Sequence, residues 1–192
     1  MIKRIGITGG IASGKSTCVK YLLEKNEIVL DSDSISHKAY GDADCYDKIK
    51  KYFPECIINQ KVSRKILGDI IFKDKERKKQ LEKIIHPYVL KQLVIGINQC
   101  QNKCVFLDIP LLFEAHMEFL CDEIWVVYVN HQTQLERLIA RNNLTYEQAK
   151  QRIDSQIPLI EKCKKANQII DNNTTYENLI EQVEVLRKKC YE

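Results

Sequence analysis

Two groups of residues in this chain have the types and spacing to handle a phosphate and a hydroxyl. The first is Gly9, Gly14, Lys15 and Ser16, which fill the fixed positions of the pattern G-x-x-x-x-G-K-[ST]. Glycines reach backbone angles closed to other residues, so successive N–H groups can turn inward. With the positive end of a following helix they make a cradle for phosphate oxygens. Gly10, Ile11, Ala12, Ser13 and Gly14 would line it, and Lys15 would reach the outer phosphates. The Ser16 hydroxyl would hold Mg²⁺, and Thr17 would touch an inner phosphate. The second group is Asp31 and Asp33. Phosphoryl transfer to an alcohol needs a carboxylate that orients the hydroxyl and takes its proton. Either aspartate could serve. Each, like Ser32 and Ser34, could equally cap a helix running through Ile35 and Tyr40.

Further charges fall where such a site would need them. Lys103–Asp108 is an apolar run closed by an acid, suited to a carboxylate that supports Mg²⁺. Gln134, Arg137 and Arg141 recur at helical steps of three and four. Arg152 lies beyond, on a helix opened by the capping box of Thr145 and Gln148. Arginines on a helical hairpin beside a phosphate cradle suit a lid over the transferred group, with Arg141 the leading candidate. Arg64 near a helix start could meet an anion. His86, a lone histidine before Pro87, reads as structural on its own.

The elements that must position these residues follow from pattern. Five apolar runs read as strands: Ile2–Ile7, Glu27–Leu30, Lys103–Asp108, Glu123–Val129 and Gln168–Asn172. Helical stretches alternate with them, so the expected architecture is α/β. It has a five-stranded, mostly parallel sheet flanked by helices and joined by right-handed crossovers. Residues 41–60 read as a solvated helix. Val62–Phe72 reads as a helix capped by Ser63, and Leu81, Ile84, Ile85, Tyr88, Val89 and Leu93 form a helical stripe that His86-Pro87 interrupts. Thr174 and Glu177 form a second expected capping box, before a last amphipathic helix.

Composition narrows the class. A length of 192 residues suits one α/β domain with an appendage. The net charge of +4 is too mild to imply nucleic-acid binding but suits polyanionic small substrates. No apolar run approaches ~20 residues, so no membrane span is expected, and Met1-Ile2-Lys3-Arg4 leads into the first strand without a secretory signal. The eight cysteines form no C-x-x-C pair and read as free thiols in a reducing, cytoplasmic setting.

Taken together, Gly6–Thr17, Asp31-Ser32-Asp33, Ile85-His86-Pro87, Asp108-Ile109-Pro110-Leu111-Leu112-Phe113-Glu114 and Ile170-Asp171-Asn172 resemble the dephospho-CoA kinase family, in its order along essentially the whole chain. The resemblance implies a P-loop NTPase fold with a core of about residues 1–40 and 103–192, a helical acceptor-side insert of about 41–100 and a lid of about 134–156. It implies transfer of the ATP γ-phosphoryl group to the ribose 3′-hydroxyl of dephospho-CoA, with Mg²⁺; a monomer or weak homo-oligomer is expected. Asp33 would match the acid that activates the hydroxyl, and Arg141 the lid arginine. Arg64 and His86 would fall in the CoA-side insert, and Asp108, Leu111 and Glu114 would line the acceptor pocket. Three positions depart from the family pattern. Ala12 stands for a glycine, at little cost if its φ is negative. Leu90 stands where a basic residue often follows. Asn167 stands for an aspartate, which bears on lid detail. The alternative is a P-loop kinase for another nucleotide or nucleoside. A guanine-nucleotide switch is disfavoured because no N-K-x-D segment is present.

Overall fold

The structure is a computed structural model that describes residues 2–192; Met1, named above with the start of the first strand, lies outside them. In chain order the elements are β1 (Lys3–Gly9), α1 (Lys15–Glu24), β2 (Val29–Asp31), α2 (Ser32–Ala39), α3 (Ala43–Tyr52), β3 (Ile57–Ile58), β4 (Lys61–Val62), α4 (Arg64–Lys73) and α5 (Lys75–Gln99). They continue with β5 (Cys104–Asp108), β6 (Glu123–Tyr128), α6 (His131–Asn142), α7 (Tyr146–Asp154), α8 (Leu159–Lys164), β7 (Gln168–Asp171) and α9 (Tyr176–Lys189). They form two compact units, residues 1–31 with 99–192, and residues 32–98.

The first unit holds a five-stranded sheet in the order β2-β5-β1-β6-β7. All four pairings are parallel. The central strands carry near-continuous buried runs, as strands covered on both faces must. One face packs Ile5, Ile7, Phe106, Trp125, Val127 and Ile170 against Cys18 and Leu22 of α1 and Leu179 and Val183 of α9. Phe106 meets Trp125 edge to face with centroids 5.5 Å apart. Register matters most for function: Ile7, Asp108 and Asp31 lie side by side across β1, β5 and β2. The carboxyl ends of these strands therefore place two carboxylates beside the start of the glycine loop, the edge where open α/β sheets bind ligands.

A smaller apolar cluster joins α6 to α7. Leu135, Leu138, Ala149 and Ile153 are buried there, and Ile11 and Ala12 of the glycine loop pack against them. The Thr145–Gln148 capping box forms as expected. The second expected box, Thr174 with Glu177, gives way to a simple cap: Thr175 accepts from Asn178 N–H, while Thr174 Oγ1 accepts from the Asn178 side chain. Asn167, expected to bear on the lid, lies elsewhere. It exchanges two hydrogen bonds with Ile124 at 2.8 and 2.9 Å, at the amino end of β6. Asparagine keeps the side-chain oxygen that this bond needs, so it serves in place of aspartate there.

The second unit is helical with one small hairpin. Asp42 caps α3, accepting from Cys45 N–H at 3.1 Å. Ser63 caps α4 as predicted. The expected solvated helix over 41–60 covers only α3. Its end turns into β3 and β4, joined by Asn59 and Gln60, both at positive φ (48° and 60°). Two left-handed residues are what a tight hairpin turn requires. Pro87 does not break the helical stripe: α5 runs 25 residues straight through it. The missing proline N–H leaves one bond of the ladder unmade, and buried Leu81, Ile84, Ile85, Val89 and Leu93 hold the helix in place.

Candidate active site

The glycine loop joins the carboxyl end of β1 to α1, and its shape rests on one residue above all. Gly14 takes φ +93° at the helix N-cap, and a Cβ there would lie 2.0 Å from the Asn172 side-chain nitrogen. Only glycine meets both demands. Ala12 is a correction to the sequence expectation. Its φ is +59°, left-handed rather than negative, so the side chain costs about 1–2 kcal/mol of local strain. Its packing against the α6–α7 cluster offsets part of that.

Around this loop stands a ring of side chains bonded to its backbone. Gln134 Nε2 donates to Ile11 O at 2.7 Å, and Ile11 N–H donates to Gln156 Oε1 at 2.9 Å. Asn172 Nδ2 donates to Ser13 O at 2.8 Å, and Arg137 Nη2 donates to Asn172 O at 3.1 Å. Lys162 Nζ donates to Gly9 O at 3.2 Å. Thr8 Oγ1 donates to Pro110 O at 3.0 Å, joining the end of β1 to the segment after β5. Buried backbone groups of a turn have no sheet or helix partner and must find one elsewhere. Gln134, Gln156, Asn172 and Lys162 satisfy loop groups that face away from the cradle, and Arg137 in turn holds Asn172.

The chemistry sits at the loop's end. Lys15 Nζ forms an ion pair with Asp108 Oδ1. Asp108 is 7% exposed at the tip of β5. Ser16 is exposed in the first turn of α1, at the positive end of the helix dipole. The α1 helix carries no acidic residue in its first turn to compete for that field. Burial pushes the thiol of Cys18, one turn on, up to about 12, so it stays neutral beneath the cradle. Oxygen donors at this edge fit a hard divalent cation. Among the described residues no cluster of three or more His, Cys, Asp or Glu could hold a metal.

The other predicted residues fall as follows. Asp33 is exposed in the first turn of α2, two residues past the end of β2. Arg141 is exposed near the end of α6, its Nε donating to Asn142 Oδ1 at 2.9 Å. Leu111 is exposed after β5. Glu114 lies close by in sequence, but its Oε1 is engaged by Lys162 and by Ile157 N–H, at 2.8 and 3.1 Å. In the second unit, Arg64 lines a cavity of about 510 Å³ with His37, Tyr40, Tyr46 and Lys61. Burial raises the Tyr40 hydroxyl above its ordinary value, with the Arg64 charge working against it. His86 is half-buried on α5 and does not line that cavity.

Against known proteins, the family model described as "Dephospho-CoA kinase" matches residues 3–178. The chain belongs to the dephospho-CoA kinase family. It is similar to the dephospho-CoA kinase of Oceanobacillus iheyensis, 42% identical with 96% of each chain covered. It is 41% identical to that of Shouchella clausii, over 98% of this chain and all of the other. Among solved structures, dephospho-CoA kinase from Campylobacter jejuni matches with a TM-score of 0.68 at 31% identity, covering 98% and 97% of the two chains. Shikimate kinase from Acinetobacter baumannii, at 16% identity and a TM-score of 0.58, shares the fold alone.

Sequence reasoning missed Gln156 and Lys162 altogether. Lys162 stands in the run Glu161-Lys162-Cys163-Lys164-Lys165, which reads as a solvated face, and only packing reveals that it is wholly buried. Asn172 was visible as the end of the Ile-Asp-Asn segment but carried no assigned role. Its signal was position, one residue past a strand at the ligand-binding edge.

Proposed function

We infer that this enzyme transfers the γ-phosphoryl group of ATP to the 3′-hydroxyl of dephospho-CoA, giving CoA and ADP, the final step of coenzyme A synthesis. The observation that carries the reading is the loop Gly9–Thr17 with Lys15 set against Asp108 at the carboxyl edge of the parallel sheet. Such transfer needs alignment and neutralised charge, with little covalent chemistry by the protein. Apart from those of Ile11, Ser13 and Thr17, which are bonded to Gln156, Gly10 and Gly14, the loop's backbone N–H groups bind the phosphates. Lys15 reaches the outer ones, in competition with Asp108 for the same ammonium protons. Arg141, on the α6–α7 lid, adds positive charge as the lid closes.

Asp33 orients the acceptor hydroxyl and receives its proton. By the family resemblance, Asp108 and Leu111 are the candidates in the first unit for binding the acceptor, and Arg64 and His86 are those in the helical unit. Ser16 would hold Mg²⁺, and Asp108 and Asp31, paired across β5 and β2, are the carboxylates that could assist it. When bound, that ion supplies charge neutralisation between the phosphates. The protein acts in the cytoplasm as a monomer or weak homo-oligomer.

The test is an assay coupling ADP release to NADH oxidation, with ATP and either dephospho-CoA or simple nucleosides as acceptor. Turnover with dephospho-CoA alone is expected. The Asp33→Asn variant should lose about 10²-fold or more in kcat, the scale of a general base, while still binding ATP. Turnover with nucleosides instead, or near-normal turnover in that variant, overturns the assignment.

A further inference from the structure

Lys162 presents an ammonium group with no exposure to solvent, on the short helix α8. Removing such a charge from water costs several kcal/mol unless it is paired and fully bonded. Its partners are Glu114 Oε1 at 2.8 Å and Gly9 O at 3.2 Å. Glu114 Oε1 also accepts from Ile157 N–H at 3.1 Å. Ile157 lies in the turn between α7 and α8, and the residue before it, Gln156, accepts from Ile11 N–H. Three segments therefore meet at one ion pair: the first glycine of the phosphate loop, the Leu-Leu-Phe-Glu segment after β5, and the turn that ends the lid hairpin. Glu114 Oε2 is buried without a hydrogen-bond partner among the described residues, so the carboxylate is turned toward Lys162 and Ile157 at some cost.

A buried ion pair is a poor way to stabilise a fold, since an apolar pair of similar volume does as well or better. What the apolar pair lacks is direction. It cannot hold a carbonyl on one side and an amide on the other. The second grip on the same loop strengthens this reading. Ile11 is bonded through both backbone groups, to Gln134 on α6 and to Gln156 after α7, and it packs with Ala12 into the α6–α7 cluster. The phosphate loop is thus tied to both ends of the lid, and the tie at Gly9 is a hydrogen bond from the charged member of an ion pair.

We propose that Lys162 and Glu114 are positioning residues for phosphoryl transfer, a fixed pivot that makes lid movement and phosphate alignment one event. The proposal rests on the kinase reading above. Neither side chain touches the reacting atoms. The pair sets the Gly9 carbonyl and the 155–158 turn, and through them the relation of the loop to the lid arginines.

The decisive variant is the double replacement Lys162→Met with Glu114→Met, which leaves no unpaired buried charge. The wild-type enzyme is assayed first with ATP and dephospho-CoA; absence of turnover there refutes the kinase reading rather than the pivot. Given an active wild type, the double variant should lose about 10- to 100-fold in kcat. Its affinity for a fluorescent ATP analogue should stay within about threefold, because the Gly14–Thr17 cradle is untouched. A kcat within twofold of wild type overturns the proposal, as does a loss confined to ATP affinity. A second measurement on wild type is independent of variant folding. Amide hydrogen exchange followed by mass spectrometry, with a non-hydrolysable ATP analogue as probe, should slow at least tenfold over residues 155–160 as well as over the loop. Protection of the loop with none at 155–160 refutes the coupling.

Discussion

The two ends of the parallel sheet use charge in opposite ways. At the amino end, charged side chains bond to one another. Arg187 grips Glu184 with two bonds of 2.7 and 2.9 Å and reaches Glu27 at 2.9 Å. Tyr21 donates to Glu184 at 3.0 Å, and Tyr191 donates to Glu27. Arg4 pairs with Asp122. At the carboxyl end, beside the pairs Lys15–Asp108 and Lys162–Glu114, polar side chains bond to the backbone of one loop: Gln134, Gln156, Lys162 and Asn172 each hold a different peptide group. A closed network of side chains adds stability and nothing more. A ring around a loop holds a backbone in the shape that a phosphate needs, and leaves Lys15 and Asp108 facing the ligand edge.

That contrast can be broken by mutation, and the effects should fall in a definite order. Lys15→Ala removes the cation nearest the outer phosphates and should lower kcat/KM by about 10²- to 10³-fold in the coupled assay. Full activity in that variant would erase the distinction between the ends. Gly14→Ala comes next. The new Cβ meets Asn172 at a φ of +93°, so the loop must open. ATP affinity by titration calorimetry should fall about tenfold or more, since the strain is of the order of 1–3 kcal/mol. Unchanged affinity would show that Asn172 does not set the cradle.

At the other end, Glu184→Gln should leave turnover within twofold and change only stability against pH. Arg187 holds the Glu184 carboxyl down at about 2, with the Tyr21 hydroxyl helping. A carboxyl with a depressed value contributes stability above its unfolded value of about 4.3, and loses it as pH falls toward 2. The melting temperature of wild type should therefore drop more steeply than that of the variant between pH 5 and 2. Parallel curves would remove the ion pair from the account. The smallest effect belongs to Ala12→Gly. Relief of the left-handed strain, less the greater chain entropy of glycine, should raise the melting temperature by about 1–4 °C. A fall would mean that the Ala12 methyl packing outweighs its strain.

How far the site could be read from sequence depended on the kind of interaction. The cradle was legible because its requirements are local: glycines at fixed spacing, a strand before, a helix after. The five strands were legible from apolar runs. The β3–β4 hairpin was not, because two-residue strands carry too little pattern, and only paired left-handed angles at Asn59 and Gln60 betray the turn. Pro87 read as a break because a local rule forbids it, whereas long-range packing of α5 tolerates the lost bond.

The sequence by itself determined the phosphate loop, the alternation of strands and helices, and the resemblance to one kinase family, since each rests on neighbours along the chain. Only the tertiary structure decided that Asp108 takes Lys15, that Lys162 is buried against Glu114 and Gly9, and that Asn167 belongs to the far end of the sheet. Those partners lie 93, 48, 153 and 43 positions apart. No local pattern encodes such pairings, because the free energy that selects them comes from burying the whole sheet at once.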